Sequence, residues 1–184
     1  HPIDIVETIA EKYEKRGFEV GYGTEEYLEN KFPSVAHDIL VSGSVCPTDA
    51  FIQAITSLTA GQALIQDDQL LAFNGSNWTD TPSEIFPFNG VLNVIIRPWD
   101  IWIKNASEMN IDFDLLTKDR FSAPIDASNT VFGDRIFLEE GARVTASVLN
   151  ATSGPIYLAQ NTEVMEGSVV RGGLALGEHS VLKL

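Results

Sequence analysis

The chain has 184 residues, 44% of them hydrophobic, enough for one domain with a sizeable core or for two small ones, and too apolar for a disordered polymer. Its 26 Asp and Glu against 12 Lys and Arg leave a net charge of −14, which repels a phosphate backbone and argues against nucleic acid as the main partner. No apolar run approaches a membrane span and no signal peptide opens the chain. The single cysteine, Cys46, excludes an internal disulfide and suits a reducing, cytoplasmic compartment, with burial as its expected role. Four Asn-x-Ser/Thr sequons, at Asn74, Asn77, Asn105 and Asn150, are read as polar loop chemistry.

In chain order, residues 4–16 place Ile5, Ile9 and Tyr13 at helical spacing, and Gly17 ends that helix. "FEVGYGT" predicts a short strand. "TEEYLENKF" predicts a short helix capped by Thr24, with Glu25 and Glu26 in its first turn. "DILVSGSVC" reads as a strand, and "TDAFIQAITSLT" as a helix capped by Thr48 or Asp49. "QALIQDDQLLAF" is a β-hairpin pattern turning at Asp67-Asp68. "NGSNWTDTPSE" is a polar loop, and "GVLNVII" a strand stopped by Arg97-Pro98. Pro98 then sits at a favourable start for a helix through Leu116.

After Pro124 the pattern changes. Aliphatic residues return every six positions at Leu158, Val164, Val170, Leu176 and Leu182. Before a two-residue insertion in "NATSGPIY", the step resumes through Asn150, Val144, Leu138 and Phe132. Four residues after each lead stand Ile136, Ala142, Val148, Gly154, Thr162, Ser168, Leu174 and Ser180, all small or aliphatic. Six fits neither the period of a helix nor that of a strand. It fits a left-handed parallel β-helix of hexapeptide repeats: three short sides make a triangular coil, the lead residue fills the prism, and the small one lets the corner turn. The insertion is expected as a loop at a corner. The expected division is an α/β domain over 1–126 and the start of a β-helix over 127–184.

Five stretches carry a resemblance: "RPWDIWIKN" (97–105), "DFDLLT" (112–117), "NTVFGDRIFLEEGARV" (129–144), "LNATSGPIYLAQNTEVMEGSVVRG" (149–172) and "ALGEHSVLKL" (175–184). Together they resemble the alternate bacterial GlmU-like proteins, densely from about residue 91 and more loosely before it. These are sugar-nucleotide enzymes named as UDP-N-acetylglucosamine diphosphorylases and glucosamine-1-phosphate N-acetyltransferases. The resemblance implies a nucleotidyltransferase-like α/β domain followed by the β-helix. It implies a nucleoside triphosphate and a sugar 1-phosphate as substrates, Mg²⁺ for the transfer, acetyl-CoA as a second co-substrate, and a homotrimer packed through the flat sides of the solenoid. It also implies an opening strand and phosphate loop before His1-Pro2, and further coils, with the acetyltransferase site, after Leu184. The chain is thus expected to be a central piece of a longer protein, with weak nucleotidyl transfer of its own.

Chemistry is harder to place. No Gly-rich loop followed by Arg and Lys is visible, and "EVGYGTEE" is too acidic to hold phosphate. Asp112-x-Asp114 has the spacing of a nucleotide–Mg²⁺ pair, against a plain reading as exposed polar residues alternating along a strand-like stretch. The hairpin turn accounts for Asp67-Asp68, and His37 is expected in a solvated loop. Arg171, His179 and Lys183 are basic and point outward from the repeat. They are candidates for binding a sugar phosphate or a coenzyme A pyrophosphate, against a plain reading as solvated surface. Two other readings stay open: a different hexapeptide-repeat acyltransferase, and a non-catalytic assembly scaffold.

Overall fold

The computed structural model describes residues 5–183. His1-Pro2, the side chain of Ile5, and Leu184, all used above, lie outside the described residues. The chain divides into two compact units, 1–100 and 101–184.

In the first unit, helix α1 (Ile5–Glu14) buries Ile9 and Tyr13 on one face. The turn that follows it closes at Gly17, whose φ of 87° only glycine adopts cheaply. The strand expected over 18–24 does not form. Its backbone finds no ladder partner, and Phe18 and Val20 instead pack singly against the core. The next element is a single 3-10 turn, Glu26–Leu28, flanked by Glu25 rather than capped by Thr24. The Thr24 hydroxyl is buried without a partner.

The strand expected over 38–46 is two strands, β1 (Leu40–Val41) and β2 (Val45–Cys46), in different sheets. A turn closed by the Val45 N–H donating to the Ser42 carbonyl (3.0 Å) separates them. Cys46, the single cysteine of the sequence, is buried as a thiol. Helix α2 (Asp49–Thr56) follows, with the Thr48 hydroxyl accepting from the Phe51 N–H at 3.3 Å. Strands β3 (Gln62–Gln66) and β4 (Gln69–Phe73) form the expected hairpin. Its turn residues Asp67 and Asp68 have φ of 49° and 61°, the two left-handed positions of a type I′ turn. Strand β5 (Glu84–Pro87), which the sequence reading did not include, pairs parallel with β3, and the sheet order is β1-β4-β3-β5. Strand β6 is only Asn93–Val94 and pairs antiparallel with β2. The core is centred on Phe51, Leu71 and Val45, all fully buried, with Phe88 edge-on to Phe51 at 5.5 Å.

Helix α3 (Asp100–Thr117) starts two residues after Pro98. Beyond it, among the described residues, stand nine short strands: β7 (Thr130–Phe132), β8 (Ile136–Leu138), β9 (Arg143–Val144), β10 (Val148–Asn150), β11 (Ile156–Leu158), β12 (Glu163–Val164), β13 (Val169–Arg171), β14 (Leu174–Leu176) and β15 (Val181–Leu182). They stack as three parallel sheets, β7-β10-β13, β8-β11-β14 and β9-β12-β15. Every third strand pairs, so each coil has three sides: this is a parallel β-helix. Leu138, Val144, Leu158, Val164 and Val170 are buried inside, and Leu176 and Leu182 pack against them.

Two lead positions are corrected by one residue. In the first sheet the register aligns Val131, Leu149 and Val170, so Leu149 fills the prism at 0% exposure while Asn150 and Phe132 turn outward. Phe132 is 48% exposed. Of the second column, Thr162 and Ser168 stand at corners as expected, whereas Ile136, Val148 and Leu174 open strands. The Thr162 hydroxyl donates to the Ala159 carbonyl (2.8 Å) and the Ser168 hydroxyl to the Met165 carbonyl (2.6 Å), which satisfies these buried polar groups.

Candidate functional site

The sheet β8-β11-β14 carries an outward row in register, Phe137, Tyr157 and Ala175. Phe137 and Tyr157 stack with ring centroids 5.6 Å apart and 6° between their planes. Phe113 of α3 meets Tyr157 edge-on at 6.4 Å. Helix α3 therefore covers this face of the solenoid, and two ion pairs fix it there. Arg135 Nη2 lies 3.0 Å from Asp114 Oδ1 and donates to the Asn110 carbonyl at 3.2 Å. Arg120 Nη2 donates to Glu139 Oε1 at 2.5 Å, with its guanidinium 5.0 Å above the Phe137 ring.

Glu139 is the centre of this network. Besides Arg120, the Tyr157 hydroxyl donates to Oε1 at 2.6 Å and the Gln160 N–H to Oε2 at 2.9 Å. The Arg120 and Tyr157 donors hold the Glu139 carboxyl below its usual range. Burial, reinforced by that carboxylate, pushes the Tyr157 phenol up. Between α3 and the sheet lies a crevice of about 200 Å³ with Met109, Phe113, Leu116 and Pro155 among its walls. Its ionisable lining residues are Glu108, Asp112 and Tyr157. A wider groove of about 410 Å³ flanks the β3–β4 turn, lined by Gln66, Asp67, Asp68, Phe88 and Asn89 among others. Neither lining includes Lys or Arg.

The residues singled out from sequence are placed as follows. Asp112 and Asp114 both lie on α3, so their plain reading as a strand-like alternation is corrected. Two positions along a helix are about 200° apart around its axis. The two carboxylates diverge, and Asp114 is engaged by Arg135. They do not fit a shared Mg²⁺. Among the described residues no three His, Cys, Asp or Glu side chains group to hold a metal ion. Arg171 ends β13, His179 occupies a left-handed corner at φ 59° before β15, and Lys183 follows β15. All three are exposed; Arg171 lies on the β7-β10-β13 side, whereas His179 and Lys183 flank β15 on another. His37 is exposed in a loop, its ring nitrogens near the carbonyls of Val35 and Ser76.

The Arg120–Glu139–Tyr157 network was missed from sequence, although a signal was present. Phe137 and Tyr157 are aromatic residues at outward positions of a repeat, and an outward aromatic pair asks for a cover. The "RPWD" stretch also has a local explanation: the Asp100 carboxylate accepts from the N–H groups of Ile96 and Arg97, both at 2.9 Å, and closes the turn into α3.

No curated protein matches the chain. No described helix is long and apolar enough to cross a membrane. The family profile described as "Sugar nucleotidyl transferase" matches residues 6–121, more than half of the chain and all of its α/β unit from α1 onward. With a nucleotidyltransferase-like α/β domain running into a parallel β-helix, the chain belongs to the sugar nucleotidyl transferase family.

Proposed function

We propose that the chain is part of a GlmU-like sugar-1-phosphate uridylyltransferase that makes UDP-N-acetylglucosamine in the cytoplasm. The observation that carries this reading is the order of parts: a sugar nucleotidyl transferase match over 6–121 followed directly by a parallel β-helix. A phosphate oxygen of N-acetylglucosamine 1-phosphate attacks the α-phosphorus of UTP. The bond from that phosphorus to the bridging oxygen breaks, and pyrophosphate leaves in line. Catalysis of such a transfer is mainly positioning and charge neutralisation, so the nucleotide enters as its Mg²⁺ complex. No step is routed through Asp112 and Asp114, which diverge on α3.

The β-helix suggests a second activity in the same protein, acetyl transfer from acetyl-CoA to glucosamine 1-phosphate. In this reading Arg171, His179 and Lys183, exposed on a chain of net charge −14, are the residues that meet the phosphate or pyrophosphate, at a subunit boundary of a homotrimer.

The test uses the natural full-length protein with Mg²⁺. UTP and N-acetylglucosamine 1-phosphate should release pyrophosphate and yield the UDP-sugar by mass spectrometry. Parallel arms replace the nucleotide, the sugar phosphate, or both with acetyl-CoA and glucosamine 1-phosphate. Pyrophosphate release with a different pair would reassign the substrates. Its absence with every pair would leave the assembly-scaffold reading.

A further inference from the structure

The sequence Phe-Asn-Gly occurs twice in the first unit, at 73–75 and 88–90. In both copies the Phe is buried, and a Cβ on the Gly would run into that ring. At Gly90 the nearest ring atom of Phe88 would stand 2.5 Å away, and at Gly75 the Phe73 ring is closer still. Packing therefore keeps glycine after asparagine at both places. The chemical consequence is the same for both: no Cβ shields the Gly nitrogen from the preceding side-chain amide.

The surroundings differ. Asn74 is partly buried and tied on three sides. Its N–H donates to the Gln62 carbonyl (2.9 Å), its carbonyl accepts from the Gly61 N–H (2.8 Å), and its Nδ2 donates to the Leu58 carbonyl (2.9 Å). Asn89 is exposed in the loop between β5 and β6. Neither its side chain nor the Gly90 N–H has a hydrogen-bond partner among the described residues. The loop is tethered on its Phe88 side, where the Phe88 N–H donates to the Ile65 carbonyl at 2.7 Å, and by the Gln66 amide, which donates to the Gly90 carbonyl at 3.1 Å and more loosely to the Phe88 carbonyl at 3.4 Å.

We infer that Asn89 is a site of spontaneous deamidation and isoaspartate formation, and that Asn74, in the same tripeptide, is protected by the fold. The Gly90 nitrogen attacks the Asn89 side-chain carbonyl carbon, the C–N bond to the amide breaks, and ammonia leaves with the proton lost by the Gly90 nitrogen. The resulting succinimide is opened by water at either carbonyl, to aspartate or to isoaspartate. Reaction at Asn74 requires its three hydrogen bonds to open first, whereas Asn89 reacts from the folded state. The isoaspartate route inserts a methylene into the main chain between Phe88 and Gly90. It thereby loosens the loop that places Phe88 against Phe51 and adds one negative charge to the groove beside the β3–β4 turn.

The test ages the protein at mildly alkaline pH, with and without urea. Deamidation is followed by peptide mapping with cleavage between the two sites, and isoaspartate by an isoaspartyl methyltransferase. In folded protein, loss of amide at Asn89 should outrun that at Asn74 by at least about tenfold, the factor expected where local opening must precede reaction. In urea the identical tripeptides should react at similar rates. Asn89→Ser should abolish the fast methyl-accepting signal. Equal rates in the folded protein, faster loss at Asn74, or an Asn89 that reacts no faster than other exposed asparagines would overturn the inference.

Discussion

Glu139 accepts from three donors at once, the Arg120 guanidinium, the Tyr157 hydroxyl and the Gln160 N–H. Its folded carboxyl is more acidic than the unfolded one, so the ionised network stabilises the fold above the ordinary carboxyl value of 4.5. That contribution is lost as pH falls through the lowered folded value. Titrating the wild type from roughly pH 5 to pH 3 should reveal a loss of stability that Glu139→Gln largely lacks. At neutral pH the variant should cost about 1 kcal/mol, a figure kept small by the solvent on Arg120, which is 43% exposed. Denaturant unfolding at both pH values checks this, and identical pH slopes in the two proteins would remove Glu139 from the account. The Tyr157 shift has the opposite sense. Its phenol is pushed up from 10.0, so the neutral form is favoured and acid does not disturb it.

At the scale of elements, two local devices and one core position are open to measurement. Thr48 caps α2, and Thr48→Ala should cost about 1 kcal/mol, read as a lower urea midpoint at unchanged slope. Asp68 sits at φ 61° in the β3–β4 turn, where a residue with a Cβ is strained. Asp68→Gly should raise stability by about 0.5 kcal/mol, since type I′ turns favour glycine there. A lower midpoint for this variant would show that the Asp68 side chain has a role of its own. In the solenoid, Leu158 is fully buried in the middle coil between Leu138 and Leu176. Leu158→Ala leaves a void flanked on both sides and should cost about 3 kcal/mol. Leu182, in the third coil and only partly buried, should cost distinctly less on the same change.

For the whole molecule, charge and core organisation matter most. A net charge of −14 repels itself in the compact state, so moderate salt should raise the unfolding temperature through screening. The buried clusters of the two units share no residue: one centres on Phe51 and Leu71, the other on Leu138, Leu149 and Leu158. Cavity variants should therefore act separately. Phe51→Ala should destabilise the α/β unit and Leu158→Ala the β-helix, which hydrogen exchange resolved by peptide can assign. Protection lost equally across both units after either change would show a single cooperative block.

What the chain determines alone is whatever depends on short-range period and on backbone chemistry. The six-residue step exposed the β-helix because every coil repeats the same requirement, an aliphatic residue inside and a small one at the corner. Thr48, Gly17 and the Asp67-Asp68 turn were legible because a cap, a helix end and a tight turn are solved within a few residues. Tertiary structure decided the rest. Strand β5 has no buried residue to mark it, and it is a strand only because β3 offers it a free edge. The 18–24 segment has strand-like residues but no such edge. The lead position at Phe132 and Asn150 slipped by one because register is set by neighbouring coils, which align Leu149 with Val170. The spacing of Asp112 and Asp114 suggested a metal pair, but spacing says nothing of direction until the helix is known. The Arg120–Glu139–Tyr157 network joins residues far apart in the chain, and its geometry exists only once α3 lies on the aromatic face of the solenoid.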